Sequence, residues 1–362
     1  MNKILLILQT PPPYGGGEIK ALYLKNFFIK NENYIIYDYS RKKNRNRSTQ
    51  GRFNLINIIF GLRWIINCKK IIRKYKPKKI YFTLPKEFYA FLRNACIISF
   101  AKRKGVMVLG ELPGASFLFL SREKGIKQKI GLHFLRKVEE IRMLGETIEK
   151  NHKKYGLNTI VIDNGAKVKE DVKVRKEAFT NDTLNMLYIG ALEFSKGIKN
   201  IILAAKLCKE KNLNVKFNIA GEWVYPVQQR ECELIIKKNQ LNDLIKFHGF
   251  VLGNDMWNLF KNNVILVHPT YWDGVPLTIL QALAAGMTII STYVGAIPDI
   301  IEDDVNGTLL KKNTPEMLFN AIKKYYSNRH MMLDIFNVNN KVFKKRFDLE
   351  IFLKNMKNWY EK

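Results

Sequence analysis

The sequence predicts an α/β fold of two doubly wound parallel-sheet domains facing each other across a cleft. Three observations carry that expectation. The chain has 362 residues, more than one hydrophobic core usually organises. Short apolar runs of strand character alternate with helical stretches, the pattern of a parallel sheet wound with helices. The rhythm then stops at Asp163-Asn164-Gly165 and starts again about twenty residues later.

In the first series, strands are expected at Ile4 to Leu8, Tyr34 to Tyr37, Lys79 to Thr83, Val106 to Gly110 and Thr159 to Ile162. Helices are expected around 18–30, 53–75, 86–103 and 126–143. A charged, irregular stretch to Asp182 reads as a linker. The second series places strands near 185–190, 214–219, 244–248, 263–267 and 287–291, with helices near 197–211, 226–239, 276–285 and 314–327. The domains are therefore set at 1–165 and 166–342, each Rossmann-like, with a helix over 343–362 crossing back to the first. Such sheets bind ligands beyond the carboxyl ends of their strands, which makes the cleft the place to seek function.

Composition narrows the class. Hydrophobic residues make up 47% of the chain and charged residues 26%, a globular balance that excludes disordered and collagenous chains. No apolar run approaches the ~20 residues of a membrane-spanning helix. The apolar start after Met1-Asn2-Lys3 ends at Gln9 and three prolines, so it reads as a first strand and not a secretory signal. Cys68, Cys96, Cys208 and Cys232 are scattered, which suits reduced thiols in the cytoplasm and no zinc site.

The formal net charge is +29. Residues 1–165 hold 33 basic and 11 acidic side chains, and between Tyr39 and Lys86 there is no Asp or Glu at all. Arg41, Lys42, Lys43, Arg45, Arg47, Arg52, Lys69, Lys70, Arg73, Lys74, Lys76, Lys78 and Lys79 fall in that run. Within the 53–75 helix, Leu55, Ile58, Ile59, Leu62 and Ile66 follow the spacing of a stripe packed on a sheet. Phe53, Phe60, Trp64, Ile71 and Tyr75 lie on the opposite side. They are expected to be covered by a neighbouring helix or to enter an anionic membrane surface at the inner face of the cell membrane. Nucleic acid is the rival polyanion, but no zinc finger or aromatic RNA-binding strand accompanies the charge.

Three segments carry chemistry. Thr10-Pro-Pro-Pro-Tyr-Gly15-Gly16-Gly17-Glu18 is a glycine turn opening into a helix, where backbone amides approach an anion closely. Tyr188-Ile-Gly190-Ala-Leu192-Glu-Phe-Ser-Lys196-Gly197 repeats strand, glycine turn and helix, with a lysine suited to a diphosphate. His268-Pro-Thr-Tyr-Trp-Asp273-Gly274-Val275-Pro276-Leu277-Thr278 opens a helix whose amides at 274–278 and whose Gln281 are expected to reach the same ligand. Spacing alone equally suits Asp273 as an N-terminal helix cap, and His248 and His268 as core residues with satisfied rings.

Together the Gly190-x-Leu192-x-x-x-Lys196-Gly197 segment, the Asp273-Gly to Gln281-Ala-Leu-Ala-Ala-Gly286 block and Val294-Gly295-Ala-Ile-Pro298-Asp299 with Asn306-Gly307 resemble glycosyltransferase family 4, a retaining family of GT-B fold. The resemblance implies that Lys196 contacts the donor diphosphate, Asp273 the donor-sugar hydroxyls and Gln281 the ribose. Lys196 and Asp273 are then the catalytic pair. Gly16, Gly17, Gly190, Gly274, Val275, Pro276, Leu277, Thr278 and Gln281 complete the donor side. Both glutamates of the family's E-x(7)-E motif are replaced here, by Asp273 and Gln281, and the frequent Gly-Arg-Leu arginine is Ala191. The family's first-domain histidine is also missing. Glu111 stands near its place in the loop Leu109-Gly110-Glu111-Leu112 and is assigned, with Glu18, to the acceptor side.

With no Asp-x-Asp pair, no metal or cofactor is expected. The substrate is a UDP- or GDP-linked sugar. The reading is a metal-independent transferase of bacterial capsule or O-antigen type assembly, with a lipid-linked glycan acceptor. Its alternative is a nucleotide-sugar-binding pseudoenzyme or regulatory subunit.

Overall fold

Strand β1 (Ile4–Leu8) is a run of five apolar residues, all buried, because a central parallel strand is covered on both faces. It pairs in parallel with β2 (Tyr34–Asp38) on one side and β3 (Lys79–Thr83) on the other. The chain continues through β4 (Met107–Glu111), β5 (Glu140–Met143) and β6 (Thr159–Val161), and the six strands lie in the order β2-β1-β3-β4-β5-β6. The connecting helices are α1 (Gly16–Phe28), α2 (Leu55–Tyr75), α3 (Phe88–Arg103), α4 (Leu118–Ser121), α5 (Ile126–Leu135) and α6 (Glu146–His152). The computed structural model describes residues 3–40, 55–121 and 125–362.

A second sheet has the order β12-β11-β10-β7-β8-β9, again all parallel. Its strands are β7 (Leu184–Ile189), β8 (Val215–Ala220), β9 (Ile245–Gly249), β10 (Ile265–Val267), β11 (Thr288–Thr292) and β12 (Gly307–Leu310). Its helices are α7 (Glu177–Thr180), α8 (Ile198–Glu210), α9 (Pro226–Lys238), α10 (Gly253–Asn262), α11 (Leu277–Ala285), α12 (Pro315–Ser327) and α13 (Met331–Val342). The chain divides into two compact units, Met1–Asn164 with Glu350–Lys362, and Gly165–Leu349. Each is a doubly wound parallel sheet. Winding reverses between β1 and β3 in unit 1 and between β7 and β10 in unit 2, the points where doubly wound sheets open to ligands.

The last helix, α14 (Leu349–Glu361), packs in unit 1. Phe352, Met356, Trp359 and Tyr360 are buried there, Tyr34 donates to Glu361 Oε1 at 3.0 Å, and Lys79 Nζ donates to the Tyr360 carbonyl at 3.0 Å. The expected 343–362 helix is not continuous. A π-helical turn, Phe343–Phe347, ends at the extended Asp348 before α14 begins.

Three other expectations need correcting. Helix 126–143 stops at Leu135, and 140–143 is a strand; Leu135, Val138 and Ile141 repeat every third residue and so mimic a continuing helix, while Arg142 hides the strand character. The stretch read as a linker is integral to unit 2. Val172, Val174, Ala178 and Phe179 are buried, and the Val174 amide donates to the Ala285 carbonyl at 2.9 Å.

The third correction concerns α2, whose stripe expected on the sheet faces outward, while of the opposite set Trp64 is buried and Tyr75 is 41% exposed. Trp64, Cys68 and Ile72 are buried against the unit, whereas Ile58, Ile59, Leu62 and Ile66 are 43–56% exposed. The Arg93 guanidinium lies 4.3 Å over the Trp64 ring. Phe53, the side chain of Leu55 and the basic residues from Arg41 to Arg52 lie outside the described residues.

Trp64→Ala is expected to destabilise unit 1 by about 3–5 kcal/mol through lost burial and a cavity, whereas Leu62→Ala stays within about 0.5 kcal/mol. Urea denaturation of the two variants checks the orientation of α2, and equal losses would contradict it.

Candidate active site

Unit 2 gathers its functional side chains beyond the carboxyl ends of β7, β10 and β11, and two glycines explain how. Gly197 has φ +82°, and a Cβ there would stand 2.0 Å from the Pro269 carbonyl oxygen. Gly295 has φ +60°, and a Cβ there would stand 2.3 Å from the Asp273 carbonyl oxygen. Only glycine satisfies both the left-handed backbone and the contact. The 268–276 loop is thus pressed between the turn that opens α8 and the turn after β11. Hydrogen bonds complete the clamp: Tyr271 N to Ser195 O at 2.9 Å, Ala296 N to Gly274 O at 3.0 Å and Thr292 Oγ1 to Thr270 O at 2.6 Å.

This clamp brings together two residues 77 positions apart. Lys196 Nζ donates to Asp273 Oδ2 at 2.7 Å and to the Trp272 carbonyl at 2.8 Å. An ammonium has three donors, so one N–H remains for a ligand. The two side chains are 23% and 22% exposed, open to a ligand yet partly shielded from water. Burial pushes the Asp273 carboxyl up, but the His268 ring and the Lys196 ammonium outweigh it and bring it from 3.8 to about 2. Asp273 does not cap the following helix. Pro276 is the N-cap of α11, and the Asp273 carboxylate instead accepts from the Gly274 amide at 3.0 Å.

His268 is the residue the sequence reading misplaced. It is buried as expected, but neither ring nitrogen has a hydrogen-bond partner among the described residues. Its Nε2 faces Asp273 Oδ2 at 3.7 Å, and its ring stacks on Tyr188 with centroids 6.2 Å apart. Its position directly after β10 was the available signal. His248 does match the satisfied reading, through Asn218 at 2.9 Å.

The other residues expected on the donor side sort by accessibility. Gly274, Val275 and Pro276 are buried. The Gly274 amide is taken by Asp273, and Pro276 has no N–H, so the expected row of amides over 274–278 reduces to those of Val275, Leu277 and Thr278. Leu277, Thr278 and Gln281 are half-buried, and Leu277 and Gln281 share one helical face. Gly190 lies directly after β7 with φ +156°.

Gly16, Gly17 and Glu18 belong to unit 1, where they form the first turn of α1 at the end of β1. Gly16 and Gly17 are exposed, and space is open at Gly17. Asp38, at the end of β2, holds the turn by accepting from Thr10 Oγ1 at 2.6 Å and Lys25 Nζ at 2.8 Å.

Glu111 is not a loop residue. It is the last residue of β4 and fully buried. Its carboxylate accepts from Lys20, from Tyr81 OH at 2.6 Å and from Arg142 at 2.6 Å. Arg142 also donates to the carbonyls of Ile162 at 3.0 Å and Asp163 at 3.1 Å and to Asn164 Oδ1 at 2.8 Å. Burial and the neighbouring Arg142 push the Lys20 amine well below the usual lysine range. A solvated glutamate free to meet an acceptor is therefore replaced by the anionic centre of a buried cluster that fixes the chain where it leaves unit 1.

Comparison with known proteins fits this geometry. Residues 169–341 match the family described as Glycosyl transferases group 1. An uncharacterized 41.2 kDa protein in the cps region of Klebsiella pneumoniae is 26% identical over 45% of this chain, and the match covers 42% of that protein. An uncharacterized glycosyltransferase of Methanocaldococcus jannaschii is 24% identical over 100% of this chain and 99% of its own length. An Escherichia coli UDP-Gal:alpha-D-GlcNAc-diphosphoundecaprenol alpha-1,3-galactosyltransferase is 25% identical over 48% of this chain and 44% of its own. Among solved structures, sucrose-phosphate synthase from Thermosynechococcus elongatus superposes with TM-score 0.79 at 14% identity, covering 100% of this chain and 98% of that one. Anabaena HepE in complex with UDP and glucose gives 0.72 at 15% identity, covering 100% of both chains. These likenesses establish the GT-B fold.

Two outcomes test the clamp. Gly197→Ala is expected to lower the stability of unit 2 by about 2–4 kcal/mol, whereas Gly17→Ala, in open helical space, is neutral or slightly stabilising. Because the Asp273 pKa is depressed to about 2, its contribution is complete above about pH 4 and is lost as pH falls through about 2. The difference in melting temperature between wild type and Asp273→Asn should be flat above about pH 5 and shrink below about pH 4.

Proposed function

We propose that the protein is a nucleotide-sugar-dependent glycosyltransferase that holds its donor in unit 2. The observation that carries this reading is the Lys196–Asp273 pair, 2.7 Å apart at the point where the winding of the second sheet reverses. In the proposed reaction the acceptor hydroxyl oxygen bonds to the anomeric carbon as the bond from that carbon to the diphosphate breaks, the electrons of the broken bond collect on the leaving oxygen, and the hydroxyl proton passes to the departing diphosphate. The third N–H of Lys196 and the first-turn amides of α11 offset that charge, a role that needs no divalent ion. Asp273 faces the sugar and Gln281 the ribose, and unit 1 takes the acceptor, with Glu18 of the α1 turn on that side.

The motif resemblance supports transfer with retention. The names of the relatives, a protein in a cps region and a galactosyltransferase for a diphosphoundecaprenol-linked sugar, support a lipid-linked glycan acceptor in bacterial surface polysaccharide assembly. That acceptor places the protein at the cytoplasmic face of a membrane. Among the described residues no helix is long and apolar enough to cross one.

A second reading, a sugar-nucleotide-binding protein without turnover, is favoured by one observation: Asp273 is already engaged by Lys196 and must be shared with any donor. Release of nucleoside diphosphate from UDP- or GDP-sugars in the presence of acceptor extract separates the two.

Lys196→Ala is expected to reduce the thermal shift given by UDP and GDP, and by their sugars, at least about tenfold in apparent affinity, as loss of a charged hydrogen bond requires. Turnover of the wild type should persist in EDTA. Undiminished nucleotide shifts in Lys196→Ala would remove the assignment, and turnover abolished by EDTA and restored by magnesium would remove the proposed handling of charge.

A further inference from the structure

Helix α2 presents to solvent the face that its spacing suggests should be core. Ile58, Ile59, Leu62 and Ile66 form an exposed ridge along its first half, and Lys70, Arg73 and Lys74 are exposed on its second half. Arg63 is exposed beside the ridge. The opposite side is occupied, with Trp64, Cys68 and Ile72 buried. Helix α2 packs on α3 and α3 on α5, and none of these three helices contains an Asp or Glu. Further along the row Tyr89 is 60% and Ile126 74% exposed.

Exposed isoleucines in this number cost solvation unless something covers them. A soluble partner formed by a second copy of the chain is disfavoured by symmetry. A two-fold contact would oppose the same acid-free, basic surface to itself. Nucleic acid would meet the charge but leave the ridge wet. A bilayer rich in anionic headgroups satisfies both halves of the helix, with apolar side chains at the acyl boundary and lysines and arginines among phosphates.

We propose that α2 lies in the plane of an anionic bilayer and docks unit 1 on it, through the ridge Ile58, Ile59, Leu62 and Ile66 and the cations Arg63, Lys70, Arg73 and Lys74. This deepens the reading of a lipid-linked acceptor, on which its biological purpose rests. The docking itself stands on the exposed face.

The test is co-sedimentation of the full chain with vesicles of phosphatidylcholine alone or mixed with phosphatidylglycerol. Wild type should sediment with the anionic vesicles, less so at high ionic strength, and stay in solution with the neutral ones. The variant Ile59→Glu/Leu62→Glu/Ile66→Glu and the variant Arg63→Glu/Lys70→Glu/Lys74→Glu should each lose at least about tenfold in partitioning. Both are exposed substitutions, so the melting temperature and the thermal shift with UDP-glucose should be unchanged. Failure of wild type to bind anionic vesicles, or undiminished binding of the apolar-face variant, overturns the proposal. A wild-type dimer in light scattering that this variant dissolves also overturns it and makes a second copy the occupant. Loss of the UDP-glucose shift with vesicle binding intact would instead sink only the donor-site reading.

Discussion

The second unit depends on how closely its backbone segments approach one another around the 268–276 loop. Two glycines with left-handed backbone let the turns at 197 and 295 press on that loop from both sides, and any side chain would force them apart. The consequence is chemical as well as steric. With the loop held, Asp273 meets Lys196, and a lysine that would otherwise sample many rotamers is held beside the strand ends. Fixing such a side chain costs up to about 2 kcal/mol of conformational entropy, and here that loss is taken during folding instead of during ligand binding.

Unit 1 solves a different problem with buried charge. Glu111 ends β4 without access to solvent, and Lys20, Tyr81 and Arg142 converge on it from α1, β3 and β5. Burying charges is expensive, and such a cluster is a weak source of net stability. Its geometric effect is clearer. Arg142 extends from the carboxylate to the backbone of Ile162 and Asp163 and to Asn164, so the last residues of the unit are tied to its sheet.

Much of this was legible in the sequence because it rests on residue types with few uses. A glycine beside a lysine after a strand, or between two turns, leaves a mark that spacing preserves. The long parallel strands were legible too, since burial on both faces makes them apolar throughout. The wrong face of α2 shows where that logic stops. Its two stripes both satisfy helical spacing, and one partner that spacing does not reveal is Arg93 of α3, which lies over the Trp64 ring. The strand 140–143 was hidden for a related reason: Arg142 reads as a surface residue until Glu111, 31 positions away, is known to face it. The role of Asp273 was ambiguous because a helix cap and an ion pair use the same side chain at the same distance from a helix, and only the lysine's position separates them.

The ion pair also constrains how a donor would bind. A diphosphate arriving at Lys196 brings negative charge toward Asp273, whose carboxyl remains ionised at any physiological pH because its pKa is near 2. The carboxylate therefore opposes the incoming anion while it orients the cation that attracts it. The balance favours binding only if the phosphates approach from the side of the free N–H and of the α11 amides, leaving Asp273 on the far side of the ammonium. The same electrostatics that holds Lys196 against Asp273 thus favours one side of the ammonium for an incoming anion.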